Sequence, residues 1–150
     1  MYPTFRYQFD AGPVEVNRLY ESPTAGNCRY AVQWYFAYVH HIALAPEDCL
    51  NPRLYRTVGV FVDGDYAKTL RIGDIVFAEK TRGRNGELID RSRNHFASED
   101  EWTIALHTAV AIGDNRFWHA TALAGGSCIW DLEAFTYSYR PVAAKRLLMS

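Results

Sequence analysis

A thiol and two imidazoles are the side chains of this sequence best suited to catalysis. Cys28 follows Asn27, a residue that can cap a helix, where a loop with Pro and Gly gives way to a periodic apolar segment. Free N–H groups and the dipole at a helix start favour the thiolate and can stabilise an oxyanion beside the sulfur. His107 and His119 lie on two consecutive predicted strands. Together the three residues form the minimal set for a thiol nucleophile with an imidazole base.

The two imidazoles can meet in only one register of the hairpin that joins their strands. Residues 113–115, with the sequence Gly-Asp-Asn, are typical of a hairpin turn. A two-residue turn would place His107 and His119 on opposite faces of the sheet. A three-residue turn pairs Ile112 with Arg116 and makes the histidines diagonal neighbours, roughly 7–8 Å apart by backbone. The catalytic hypothesis therefore predicts a turn with an odd residue count or a bulge.

The main helix is expected to run from Cys28 to about Ala45 and to be ended by Pro46. In the predicted strand 104–112, the side chains on one face are alanines and His107, and most of those on the other face are large. Because alanines allow a close approach, we expect the helix to pack on the alanine face and to bring its start towards His107. The helix itself has apolar residues at three- and four-residue steps, namely Ala31, Val32, Tyr35, Phe36, Val39 and Ile42.

The rest of the pattern predicts mostly short strands. Residues 13–20 fit either a helical turn or a strand, and the polar residues 82–101 fit a long surface loop or a distorted hairpin. One helix followed by a strand meander predicts an α+β domain with an antiparallel sheet, and residues 1–150 have the size of one domain. The expected strands are 4–9, 58–62, 70–78, 104–112, 116–121, 127–132 and 141–147.

Composition narrows the classes of function. The apolar fraction of 49% is enough for one packed core, and a net charge of −1 gives no indication of nucleic acid or of an anionic membrane as partner. The apolar stretches are too short to span a bilayer, so no transmembrane segment is expected. The first residues lack the basic and apolar regions of a signal peptide, which predicts a cytoplasmic chain and leaves secretion by another route as the alternative.

The cysteines and histidines do not form a metal-binding pattern. Three cysteines are an odd number, which argues against a disulfide framework. No C-x-x-C, H-x-x-x-H or H-E-x-x-H occurs, so we expect neither a metal nor another cofactor. Cys49 has no helix start beside it and is expected to be inert. Cys128 lies in an apolar strand and is expected to serve packing.

Five segments in order resemble the NlpC family of papain-like cysteine peptidases. A cysteine opens a helix, and Arg-Ile-Gly-Asp-Ile-Val-Phe follows at 71–77. Leu-His-Thr-Ala-Val-Ala-Ile-Gly stands at 106–113, Phe-Trp-His-Ala-Thr at 117–121 and Ala-Lys-Arg-Leu at 144–147. The second histidine of the family pattern comes twelve residues after the first, and here 119 − 107 = 12.

The resemblance implies a papain-like α+β fold in which the N-terminal helix carrying the nucleophile packs on the antiparallel sheet. It implies that Cys28 is the nucleophile, His107 the general base and His119 the orienting residue. Tyr20 is the nearest match to a tyrosine that the family often places near the oxyanion. The implied activity is cleavage of amide bonds in peptidoglycan stem peptides, typically between D-glutamate and a diamino acid, without a metal or organic cofactor.

The sequence departs from the family pattern beside the thiol. The family has Asp-Cys-Ser-Gly where this chain has Asn27, Cys28, Arg29 and Tyr30. Loss of the aspartate weakens recognition of a free amine, whereas Arg29 adds a cation that can attract a carboxylate. We therefore expect a cysteine peptidase or amidohydrolase acting on peptidoglycan stem peptides or related peptides. The alternatives are a thiol acyltransferase or protein-deconjugating hydrolase on the same fold, and an inactive binding module.

Overall fold

The chain has an α+β fold with two antiparallel sheets. The computed structural model describes residues 4–9, 12–17, 27–44, 55–60, 66–82, 85–88, 107–121 and 126–148. Among these residues, no helix has the length and apolar character that crossing a bilayer requires.

The strands form one hairpin and one large sheet. The hairpin consists of β1 (Thr4–Phe9) and β2 (Gly12–Asn17). The large sheet has six strands in the order β3-β8-β4-β5-β6-β7. Its members are β3 (Tyr55–Val60), β4 (Ile75–Lys80), β5 (His107–Ala111), β6 (Arg116–Thr121), β7 (Gly126–Asp131) and β8 (Tyr139–Leu147). The described helices are α1 (Asn27–Val39), α2 (Tyr66–Thr69) and α3 (Leu132–Ser138).

Most of the predicted strands are confirmed within a few residues, and residues 13–20 form a strand where they are described. Of the polar segment 82–101, the described part holds one antiparallel bridge between Arg82 and Leu88, and the remainder lies outside the described residues.

Helix α1 ends earlier than the sequence pattern predicts. It stops at Val39 instead of continuing to Ala45. His41 adopts a left-handed backbone with φ of 57°, which an α-helix cannot contain. The amide of Ile42 then donates to the Phe36 carbonyl at 2.8 Å, so the end of the helix is capped by its own chain.

The turn between β5 and β6 has the predicted odd residue count. The amide of Ile112 donates to the Arg116 carbonyl at 3.0 Å, and the amide of Arg116 donates to the Gly113 carbonyl at 3.0 Å. Asp114 and Asn115 have φ of 52° and 55°, and Gly113 has φ of 91°. Three successive residues with positive φ form a tight turn with one extra residue, which glycine and Asx residues tolerate best.

Helix α1 covers the large-residue face of the central strands, so the prediction that it packs on the alanine face is wrong. Val110 and Ile112 belong to the cluster of buried residues that includes the apolar side of α1. Trp118 belongs to the same cluster, and its indole N–H donates to the Ala31 carbonyl at 2.8 Å. Because the helix presents large side chains, the broad apolar face of Val110, Ile112 and Trp118 buries more area than a row of alanines would.

The alanine face is filled by aromatic rings instead. Ala109 and Ala111 pack with Phe117 of β6 and Phe135 of α3. The rings of Phe117 and Phe135 stack at 4.4 Å between centroids with an interplanar angle of 18°. The small side chains of β5 leave space that the large rings of neighbouring elements fill. The helix that packs on this face is therefore α3, which the sequence pattern did not predict.

The start of α1 lies towards the end of the sheet where His107 lies, but on the opposite face. Phe36, near its end, lines one cavity together with Gly73. The amide of Gly73 donates to the Ala111 carbonyl, at the end of β5 away from His107. The opposite end of α1, which carries Cys28, therefore lies towards the end of the sheet where β5 begins.

A single carboxylate holds the start of α3. Asp131 accepts a hydrogen bond from the Ala134 amide at 2.8 Å. We expect Asp131→Ala to lower the free energy of unfolding by about 1 kcal/mol, the usual effect of removing an N-cap. Urea unfolding followed by circular dichroism measures it. Glu133→Gln, an exposed change in the same turn, should change stability by only a few tenths of a kcal/mol. Equal effects of the two changes would contradict the capping role.

Candidate active site

His107 and His119 lie in direct contact on the face of the sheet away from α1. Nε2 of His107 is 2.8 Å from Nδ1 of His119. The register of β5 and β6, in which Val110 pairs with Trp118, places His119 opposite Ala109. The predicted convergence of the two imidazoles is therefore confirmed.

His119 is enclosed by aromatic rings. Its side chain is 0% exposed, and the rings of Trp130, Phe135 and Tyr139 surround it with centroids at 4.6, 5.3 and 5.9 Å. Burial is the main cause that lowers the pKa of His119 well below its usual value, and the neighbouring His107 lowers it further. The imidazole is consequently neutral at pH 7.

His107 is also neutral, although part of the residue reaches solvent. Burial of the ring, followed by the positive charge of Lys80, lowers the pKa of His107 to about 3. Two neutral imidazoles share one proton in their hydrogen bond, so one ring donates and the other accepts.

A catalytic role selects one of the two possible tautomers. If Nε2 of His107 donates to Nδ1 of His119, then Nδ1 of His107 is left without a proton and can act as a base. Nε2 of His119 then carries the proton of its ring. That nitrogen is buried and has no hydrogen-bond partner among the described residues, which costs about 1–3 kcal/mol for a donor. The tautomer that suits catalysis therefore leaves the N–H group of His119 Nε2 buried at a cost in free energy among the rings of Trp130, Phe135 and Tyr139.

Tyr139 links the imidazole pair to the thiols. Its ring stacks on His107 at 4.2 Å with an interplanar angle of 13°, and its hydroxyl lies 2.5 Å from Oγ1 of Thr121. Burial raises the pKa of Tyr139, the hydrogen bond with Thr121 lowers it, and the two thiols Cys28 and Cys128 raise it. Both thiols are therefore close enough to the phenol to affect its charge.

Cys28 occupies the first turn of α1, as predicted, and its thiol is free and half-buried. Among the described side chains, no hydrogen bond joins this thiol to His107 or His119. Helix α1, which carries this thiol, packs on the face of the sheet opposite the imidazoles.

Cys128 shares the imidazole face, which the sequence analysis missed. It pairs directly with His119 across β6 and β7. Directly opposite residues of an antiparallel pair lie on the same face with Cβ atoms about 4.5–5.5 Å apart. The pattern of an apolar strand predicted only a packing role, because the length of the β6–β7 connection left the pairing register open.

The other predicted residues contribute less to the described geometry. Asn27 and Arg29 lie in the first turn of α1, and their side chains are outside the described residues, as are Tyr20 and Cys49 entirely. The imidazole of His40 bonds to the Tyr35 hydroxyl at 2.9 Å, which ties it to the helix end. No group of three or more metal-ligating side chains occurs within the described part of the chain.

The neutral imidazoles predict a pH-dependent stability. Between about 3, the pKa of His107, and about 6.5, the value in an unfolded chain, the unfolded state binds more protons than the folded state. Stability is therefore highest above about pH 6.5 and falls as the pH decreases, by up to about 1.4 kcal/mol per pH unit for each buried imidazole.

Replacing one imidazole should reduce this dependence. We expect His119→Leu to show a shallower loss of unfolding free energy between pH 7 and pH 5 than the unchanged protein, measured by urea unfolding at each pH. His41→Asn, at an exposed position whose left-handed backbone Asn tolerates, should leave the slope unchanged. Parallel pH curves for His119→Leu and the unchanged protein would show that His119 titrates normally.

Comparison with known proteins adds no relative to this geometry. No model of a known protein family matches the chain, and a search of curated proteins finds none that is significantly similar. The imidazole pair, the two thiols and the phenol of Tyr139 are the groups that can carry chemistry here.

Proposed function

We propose that the protein is a cysteine peptidase or amidohydrolase in which Cys28 is the nucleophile, His107 the general base and His119 the residue that orients it. The observation that carries this proposal is the 2.8 Å contact between Nε2 of His107 and Nδ1 of His119. An imidazole base needs a second polar group to fix its tautomer and direction, and His119 supplies one.

The proposed reaction has two steps. A thiolate formed beside the ring offsets the burial that lowers the pKa of His107, so the Cys28 thiol can give its proton to Nδ1 of His107 as the sulfur attacks the carbonyl carbon of the amide. The free N–H groups of the first turn of α1 stabilise the oxyanion, and the His107 imidazolium protonates the leaving amine. Water then attacks the resulting thioester with His107 as base, releases the carboxylic acid and regenerates the thiol.

The proposal requires the thiol to close on the imidazole when substrate binds. Cys28 lies in the first turn of α1 and His107 begins β5, and both lie towards the same end of the sheet. Catalytic hydrogen bonds are often long in the absence of substrate and shorten in the reactive complex. The lack of a direct hydrogen bond here is compatible with such a closure.

The resemblance to the NlpC family suggests both the finer fold and the substrate. An antiparallel sheet with a cysteine at a helix start supports an NlpC-type arrangement, and the family's substrates are amide bonds of peptidoglycan stem peptides. We propose these peptides or related ones as substrates. A thiol acyltransferase or a deconjugating hydrolase would use the same residues, and product analysis separates these activities.

An inactive binding module is the second candidate function. The position of α1 on the face opposite the imidazoles favours it, because this packing separates the thiol from His107 by the sheet. On this view the imidazole pair would serve as a polar contact within the ring cluster.

Alkylation by iodoacetamide tests whether Cys28 is activated. We expect Cys28 to react at pH 7 about ten times faster than Cys49 or Cys128, because the proposed nucleophile stands at a helix start and has His107 as its base. Peptide mass spectrometry over a time course gives the three rates. His107→Gln should slow Cys28 to the rate of the other thiols, whereas His41→Asn should have no effect. Equal rates for all three cysteines in the unchanged protein would favour the binding module.

Hydrolysis of purified stem peptides tests the substrate and the nucleophile together. Cys28→Ser should lower kcat by a factor on the order of 10³ or more, since loss of a nucleophile removes the covalent route. Cys128→Ser is the matched control and should retain most of the activity. Loss of activity in Cys128→Ser with retention in Cys28→Ser would instead assign the nucleophile to the thiol beside His119. Mass spectrometry of the products distinguishes hydrolysis from acyl transfer.

A further inference from the structure

Tyr139 has a geometric relation to His107 that ordinary packing does not require. The two rings are nearly parallel, with 13° between their planes and 4.2 Å between their centroids. Phe135 also lies near His107, but its centroid is 6.4 Å away and its plane is tilted by 36°. Of these two rings, only Tyr139 covers the flat face of the imidazole.

Two contacts together determine the direction of the imidazole. The stack on Tyr139 fixes the plane of the His107 ring. The 2.8 Å contact with His119 fixes the rotation of the ring within that plane, because it holds Nε2 in place. A flat five-membered ring with a fixed plane and one fixed nitrogen has its other nitrogen, Nδ1, fixed as well.

Tyr139 is itself held at both ends, so it can serve as a fixed support. Its backbone is in β8, where it pairs with Lys80 of β4. Its hydroxyl lies 2.5 Å from Oγ1 of Thr121, a buried residue at the end of β6. The side chain is 4% exposed, so water does not compete for these contacts.

We propose that Tyr139 is a positioning residue that holds the His107 ring in the plane from which Nδ1 reaches the Cys28 thiol. The inference rests on the proposed function, since it assigns to Tyr139 a part in that same site. It acts through His107 and does not require contact with the substrate. The hydrogen bond to Thr121 has a secondary part, because it keeps the phenol from sliding off the imidazole.

The chemistry of the phenol agrees with this role. Burial is the main cause that raises the pKa of Tyr139, and the nearby thiols Cys28 and Cys128 add to it. The phenol is therefore neutral at pH 7. A neutral ring in this place supports the imidazole without adding an anion beside the nucleophile.

Three variants separate the flat ring from the hydroxyl. Tyr139→Phe keeps the stack and loses the hydroxyl, Tyr139→Met keeps bulk without a flat face, and Thr121→Val removes the anchor from the other side. Tyr137→Phe is the matched control, because Tyr137 is exposed and lies two residues earlier. Circular dichroism and urea unfolding establish that each variant folds before it is compared.

On stem peptides we expect Tyr139→Met to lower kcat by about 30- to 100-fold with KM within about threefold, the size of effect that misplacement of a catalytic group produces. Tyr139→Phe should keep kcat within about fivefold of the value for the unchanged protein. Thr121→Val should resemble Tyr139→Phe. Unchanged kcat in folded Tyr139→Met, or an equal loss in Tyr139→Phe and Tyr139→Met, would overturn the proposal.

Nitrogen NMR of the histidine rings tests the positioning role without any turnover. In the unchanged protein and in Tyr139→Phe, the ¹⁵N shifts of His107 should report one tautomer, with the proton on Nε2. In Tyr139→Met they should move to values averaged between the two tautomers. If unchanged protein cleaves no peptide but shows this pattern, the proposed function fails and the positioning of His107 stands. If Tyr139→Met keeps the single tautomer, the positioning role fails, whatever the activity of that variant. If Tyr139→Met does not fold, Tyr139→Phe decides: loss of the single tautomer in that variant would show that the flat ring alone does not hold His107.

Discussion

The register of the β5–β6 hairpin is the constraint on which the rest of this site depends. One extra residue in the turn at Gly113 places His119 opposite Ala109 and brings its ring to His107. Side chains alternate between the two faces of a strand, so a shift of one residue would send one imidazole to the α1 face. The cluster of rings around the pair, the hydrogen bond between them and their neutral state all follow from this single register.

One face of the sheet packs against α1, and the other face carries the imidazoles. The face of Val110, Ile112 and Trp118 buries the apolar side of α1 and forms the larger packed cluster. The face of Ala109 and Ala111 leaves volume that aromatic rings fill, and it is there that the imidazoles lie. Rings pack densely and exclude water, so polar groups among them interact strongly with each other.

Several features could be predicted from the sequence because they depend on local pattern. The turn at 113–115 is one such feature: an odd residue count there was predicted to bring the two imidazoles to one face, and they meet there. The face that α1 covers was wrongly predicted, because the match of large to small side chains involves Phe117 and Phe135 on elements distant in the chain. Helix α3 was missed because its seven residues follow β7 without a break in polarity and depend on the cap at Asp131. The proximity of Cys128 to His119 required the pairing of β6 with β7, which no local signal supplies.

The aromatic rings around His119 also limit the charged states that the site can adopt. In a medium of low dielectric an isolated ion is strongly disfavoured, whereas two opposite charges formed side by side largely cancel at a distance. A proton that leaves a thiol for His107 creates such a pair, and its return removes both charges at once. The interior therefore admits charge only as a transient dipole. A substrate group that meets these rings would best be uncharged, as an amide carbonyl is.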